Sequence, residues 1–134
     1  MTKKMNKYKN YVILCRKLSD AKENNYIYES LFIERLIIED RLSSILKHLK
    51  VSYNDYANVS LKEKLKLISK QKDSRAQSLF TKQLLIELKD WEYRFDQYLK
   101  TISNRTFDGR KLIALQKESD RIRKKIDLIS KKFA

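Results

Sequence analysis

Glu34, Arg41 and His48 follow one another at intervals of seven residues. Seven residues turn an α-helix by about 700°, roughly 20° short of two turns, so the three side chains fall nearly in line along one helix edge. A guanidinium that holds a phosphate beside an imidazole that takes a 2′-hydroxyl proton is the core of metal-free RNA cleavage. Histidine is the side chain that titrates near neutral pH. Arg41 and His48 are therefore candidate catalytic residues. Glu87 and Arg94 repeat the seven-residue interval further along the chain. Two such edges facing each other would form a polar network of Glu34, Arg41, Glu87 and Arg94. Half-buried charges are costly unless paired, and the plainer reading is that this network only fixes helix register.

The second chemistry is that of net charge. The 134 residues hold 31 Lys+Arg against 17 Asp+Glu, a formal net charge of +14. Residues 1–22, 61–75 and 100–134 come to +6, +4 and +7, whereas residues 26–49 and 76–99 each come to −1. Such an excess favours phosphate backbones, anionic membranes or acidic proteins. If the last helix packs beside the first, Lys4, Lys7, Lys9, Arg110, Lys111, Arg121, Lys124, Lys125, Lys131 and Lys132 make one positive face suited to a nucleic-acid backbone. Tyr53 and Tyr56, interleaved with Asn54 and Asn58, are placed to stack on exposed bases, which favours RNA or a single strand. No helix-turn-helix or zinc-finger spacing is present, so sequence-specific readout is not expected. An acidic protein partner is the alternative, and a merely solvated lysine-rich surface is the plainer one. A membrane is not expected, since the last helix has a narrow apolar stripe without tryptophan.

Metal and redox chemistry find little footing. Cys15 stands alone and His48 is the single histidine, which removes a disulfide framework and a two-histidine zinc site. No metal or cofactor is expected, and a reducing, cytoplasmic compartment is. Cys15 reads as core packing. The basic N-terminus has too short an apolar run for a signal peptide or an anchor.

Helices must position these residues. Proline is absent and glycine occurs once, at Gly109, so neither a sheet-rich fold nor a glycine-rich phosphate loop is available. The expectation is all-α: one antiparallel helical-bundle domain over residues 1–134, of about five helices. The first runs from about Lys7 to Asn24 with Tyr8, Val12, Cys15 and Leu18 at helical spacing. The second, from about Asn25 to Lys50, carries Ile27, Leu31, Ile38, Leu42, Ile45 and Leu49 on one face. Ile33, Phe32, Leu36 and Ile37 widen that face nearly all round, which belongs at a bundle centre. Ser60 and Glu63 form a capping box for a third helix ending near Lys72, and Ser74 with Gln77 repeats it for a fourth running to about Ser103. The fourth places Phe80, Leu84, Leu88, Trp91, Phe95, Tyr98 and Ile102 on its apolar face, with Trp91 read as core. After a loop with Asp108 as a candidate cap, the last helix carries Leu112, Leu115, Ser119, Ile122, Ile126, Ile129 and Phe133 at three-four spacing, the pattern of a bundle seam or a dimer helix.

The stretches Tyr28–Leu49, Ser60–Ile68 and Leu84–Leu99 resemble the HEPN superfamily of small α-helical proteins, many from prokaryotic defence and toxin–antitoxin systems. The resemblance covers the helical order of most of the chain. The signature of HEPN ribonucleases is an arginine, usually followed by a polar residue, and a histidine after four to six intervening positions. Arg94 stands where that arginine would, and the resemblance makes it the third candidate catalytic residue, but Phe95 follows it and Leu99, Lys100 and Thr101 occupy the histidine positions. Arg41 and His48 satisfy the spacing in the second helix, with Leu42 after the arginine. The resemblance thus implies a homodimer with a positive groove, binding RNA or another nucleic acid without catalysis. A small protein-binding inhibitor or antitoxin-like factor is the first alternative, and a metal-independent ribonuclease the second.

Overall fold

Six helices rather than five carry the described residues: α1 (Lys3–Glu23), α2 (Ile27–His48), α3 (Leu61–Ser69), α4 (Ser74–Leu79), α5 (Lys82–Ser103) and α6 (Gly109–Phe133). The structure is a computed structural model that describes residues 3–51, 59–103 and 109–133, with side chains from residue 9 onward except 102 and 103. The expected all-α class holds, and no strand occurs among the described residues. Asp108, Tyr53, Asn54, Tyr56 and Asn58 lie outside them.

The additional helix arises where one amphipathic run was expected from Ser74 onward. Asp73, not Ser74, is the cap: its Oδ1 accepts the Ala76 N–H at 2.8 Å. The helix so started lasts six residues. Phe80 then leaves helical geometry at φ −95° and ψ 76° while its ring is buried in the core. Thr81 Oγ1 accepts the Leu84 N–H at 3.1 Å and starts α5 afresh. Two caps close together satisfy orphan amides twice, so the chain breaks between them. The Ser60 cap is as expected, accepting the Glu63 N–H at 3.1 Å.

The ends of α1 and α2 are sharper than their composition suggests. Asn25 has φ 59°, and the Tyr26 N–H reaches Ala21 O at 2.8 Å while the Asn25 N–H reaches Lys22 O at 3.2 Å. Lys50 repeats this at φ 58°, with Val51 N–H to Leu46 O and Lys50 N–H to Lys47 O, both at 3.0 Å. Both are Schellman stops, and asparagine tolerates the left-handed residue better than lysine does. The α1 stop turns the chain back within three residues, so α1 and α2 run antiparallel.

Contacts between α2 and α6 are the most extensive in the fold, and those between α1 and α2 come next. Gln116 Nε2 donates to Ser30 Oγ at 2.9 Å and Arg123 approaches Glu34, so α2 and α6 run parallel. Phe32 meets Phe95 edge-on at 6.0 Å and Tyr28 stacks on Tyr98 at 6.5 Å, which sets α5 antiparallel to α2. The main core gathers Leu31, Ile38, Leu42 and Ile45 of α2 with Trp91, Phe95, Ile122 and Ile126. A smaller cluster joins Ile33 and Ile37 to Leu18 and Ala21 of α1. α2 is thus buried on two sides, although Phe32 and Leu36 remain 43% and 50% exposed rather than closing the circle. On α1 the inward stripe is Tyr11, Leu14, Cys15, Leu18 and Ala21, displaced from the expected line through Val12. All described positions of the expected α5 and α6 faces are buried, Ser119 because its Oγ accepts the Trp91 indole N–H at 2.8 Å.

The two-cap break is testable. Thr81→Ala is expected to lower unfolding free energy by about 1 kcal/mol, whereas Ser74→Ala stays within about 0.5 kcal/mol of wild type. Urea unfolding followed by circular dichroism distinguishes the two; an equal loss in both would restore a single helix from Ser74.

Candidate functional site

The expected network of Glu34, Arg41, Glu87 and Arg94 does not form; each member pairs elsewhere. Glu34 is fully buried, with Lys22 Nζ 3.6 Å from one oxygen and Arg123 Nε 3.7 Å from the other. Arg41 is turned to α1, its guanidinium 4.0 Å from the Tyr11 ring centroid and 2.6 Å from Asp40. On α5, Glu87 takes Arg121 at 3.3 Å and Lys125 at 3.8 Å, while Arg94 pairs with Asp90 and with Glu118. α6 packs against both α2 and α5 and supplies partners to Glu34, Glu87 and Arg94, while α1 takes Arg41 through Tyr11 and adds Lys22 to Glu34. The arginine that does cross from α2 to α5 is Arg35, 3.3 Å from Asp96 and 4.7 Å from the Phe95 ring.

His48 is exposed at the C-terminal end of α2. Among the described residues no hydrogen bond or ion pair joins it to Arg41 or Arg94, which are paired with Asp40 and with Asp90 and Glu118 respectively. No group of three His, Cys, Asp or Glu side chains suited to a metal occurs among the described residues.

What the fold assembles instead is a charge cluster across α1, α2 and α6. Asp120 receives hydrogen bonds from Lys22 and, at 3.1 Å, from Arg123; Lys124 lies 3.1 Å away. Arg123 Nη1 also bonds Asp127 at 3.2 Å, whose other oxygen accepts the Tyr11 hydroxyl at 3.0 Å. Glu34 sits beneath this cluster, and neither of its oxygens nor Arg123 Nε makes a hydrogen bond of normal geometry. Burial first, and then the Asp120 charge, push the Glu34 carboxyl up to about 7, with Lys22 and Arg123 opposing. Burial also resists ionisation of Asp120, but hydrogen bonds from Lys22, Arg123 and Lys124 outweigh it and hold that carboxyl well below the usual range. Of this cluster only Glu34, for the polar network, and Lys124, for the positive face, were singled out from sequence. The i, i+3, i+7 run of Asp120, Arg123 and Asp127 beside the α6 seam was the available signal for the rest.

The charged surface follows from the same cluster. Tyr11–Asp127 and Lys22–Asp120 bridge α1 and α6 through side chains, both helices being packed mainly on α2. The acids of α6, Glu118, Asp120 and Asp127, are half-buried on its flanks and paired inward. Arg110, Lys111, Lys117, Arg121, Lys124, Lys125, Lys131 and Lys132 are all exposed. At 100° per residue, Arg110, Lys117, Arg121, Lys124, Lys131 and Lys132 point away from the buried stripe. Lys117 was missed in the sequence, as were Arg16 and Lys17, exposed on α1 with Lys9. The side chains of Lys4 and Lys7 lie outside the description. Lys64 is lost to the surface: it is buried, which lowers its ammonium pKa against the opposing pull of Glu39 and Asp40.

No family model, curated protein or solved structure matches the chain. Among the described residues no helix is long and apolar enough to cross a membrane.

The Glu34 geometry has a signed pH dependence. Its folded-state pKa of about 7 lies above the ordinary 4.5, so the native state holds the extra proton between those values. Stability is therefore expected to fall as pH rises through that window, by up to about 1.4 kcal/mol per pH unit. Asp120 contributes with the opposite sign and is lost only in stronger acid. In urea unfolding at about pH 5 and about pH 8, Glu34→Gln should flatten the slope; an unchanged slope would assign it to another group.

Proposed function

We propose that this chain is a basic, non-catalytic, HEPN-like helical domain that binds RNA or another nucleic acid in a bacterial or mobile-element defence setting, through the outer face of α6. The observation that carries the reading is the sorting of charge on α6. Its acids are paired with Lys22, Arg94, Arg121, Arg123 and Lys124, and its outer face carries Lys117, Lys131 and Lys132 beside the exposed apolar Ile113 and Leu128. Lys117, Lys131 and Lys132 have no acidic partner among the described residues, so binding a polyanion there breaks no ion pair. Cations spaced along one helix suit the regular spacing of backbone phosphates and release counterions on binding, without reading base identity.

Absence of catalysis is inferred from the arginines. Arg41 is committed to Asp40 and the Tyr11 ring, and Arg94 to Asp90 and Glu118. Neither is a free phosphate clamp beside His48. A protein partner is the second reading, favoured by the exposed stripe of Tyr28, Phe32 and Leu36 on α2, one turn apart from one another.

Retention of labelled single-stranded RNA in EDTA, measured across salt concentrations, tests the proposal. Wild type should bind at low salt with a steep log–log slope. The triple variant Lys117→Gln/Lys131→Gln/Lys132→Gln should lower the slope by about two units, at roughly 0.7 per lost phosphate contact on a single strand. His48→Ala should match wild type. Absence of retention at low salt would turn the assignment to the protein partner, and cleavage lost in His48→Ala would make the protein a ribonuclease.

A further inference from the structure

α1 is held differently from the other helices. The main buried core takes its side chains from α2 to α6 and none from α1. The apolar hold on α1 is a separate, smaller cluster: Leu18 and Ala21 against Ile33 and Ile37 of α2, with Tyr11, Leu14 and Cys15 half-buried at its rim. Towards α6 it has the side-chain bridges Tyr11–Asp127 and Lys22–Asp120. A helix with so little buried apolar surface of its own opens at lower free energy than the bundle it rests on.

Glu34 is the group that this opening uncovers. It follows Ile33 directly on α2 and is fully buried, with Lys22 of α1 3.6 Å from one oxygen and Arg123 of α6 3.7 Å from the other. Neither oxygen accepts a hydrogen bond of normal geometry. The charged and titratable groups around it are Lys22 and Tyr11 from α1, and Asp120, Arg123, Lys124 and Asp127 from α6. Asp120 already holds both cations that approach Glu34. Docking of α1 thus takes the carboxyl out of water and gives it no hydrogen bond in return, which disfavours the anion far more than the neutral acid.

Burial first, and then the Asp120 charge, raise the docked carboxyl from 4.5 to about 7, against the pull of Lys22 and Arg123. A group that binds its proton more tightly docked than undocked makes docking take up a proton between those two values. α1 is therefore held most firmly on the acid side of the window and loosens as pH rises through it. It loosens no further once Glu34 is ionised in both states. Asp120, held well below the usual range, stays ionised throughout. We infer that α1 is a proton-operated latch: with Glu34 protonated it closes over Ile33 and Ile37 of α2, and with Glu34 ionised it opens that face while α2 to α6 stay folded.

Amide hydrogen exchange of the full chain, resolved by residue and corrected for the intrinsic pH dependence of exchange, tests the latch. Leu18 and Ala21 on α1 should be less protected than Trp91 and Ile122 in the main core, because α1 opens while the bundle stays folded. Their protection should fall by up to about tenfold per pH unit from about pH 5 to about pH 7 and level off above it. Glu34→Gln should remove that dependence and keep α1 protected at about pH 8. Lys22→Gln, which withdraws a cation opposing the shift, should carry the fall to higher pH. Wild type and Lys22→Gln decide the matter if Glu34→Gln does not fold. Equal protection of α1 and the core, or α1 protection independent of pH in wild type, would overturn the latch. So would the wild-type dependence kept in Glu34→Gln or unmoved in Lys22→Gln.

Discussion

Glu34 lies without solvent contact under a lid of Lys22, Asp120, Arg123, Asp127 and Tyr11, and the packing of three helices depends on how that carboxyl is accommodated. An isolated buried carboxylate is untenable in a low-dielectric interior. Here two cations approach it from α1 and α6, and each is held in turn by Asp120. The approach of Lys22 and Arg123 to one buried carboxyl ties the register of α1 and α6 to α2, even though neither Glu34 oxygen accepts a hydrogen bond of normal geometry. An apolar seam alone tolerates sliding and rotation that such a cluster does not. Whether it adds net stability is a separate matter, since buried ion pairs often give back in desolvation what they gain in attraction.

The same constraint shapes the surface. Each acid drawn into the cluster, or into the pairs with Arg94 and Arg121 on the α5 side, is removed from the outer face of α6. The chain carries an excess of 14 positive charges, and on α6 this sorting leaves Lys117, Lys131 and Lys132 without an acidic partner among the described residues, while Arg121, Lys124 and Lys125 are paired. Core specificity and surface electrostatics are therefore one arrangement seen from two sides.

Much of the fold was legible because its signals are local. The α6 stripe from Leu112 to Phe133 and the α5 stripe from Leu84 to Tyr98 are buried as their periodicity implies. The Ser60 cap is where its motif stands. The break before α5 was missed because Asp73 and Thr81 are caps without the acidic or amide partner that marks a capping box. On α1, apolar residues at Val12 and Ile13 beside Leu14 and Cys15 leave the inward face ambiguous by one position, and packing on Ile33 and Ile37 resolves it. The seven-residue interval of Glu34, Arg41 and His48 proved a weak guide. It places side chains on one edge of α2 but says nothing of what lies across from each.

Sequence by itself determined that the chain is helical, which faces of α5 and α6 are buried, and that its terminal segments are strongly basic. Those properties depend on composition and on periodicity within a helix, and both are local. Tertiary structure decided the partners: Arg35 rather than Arg41 for α5, and Arg123 and Lys22 rather than Arg94 for Glu34. Pairing between helices depends on which edges meet. A helix of period 3.6 offers several equivalent edges, and only the packing of α6 between α2 and α5 chooses among them.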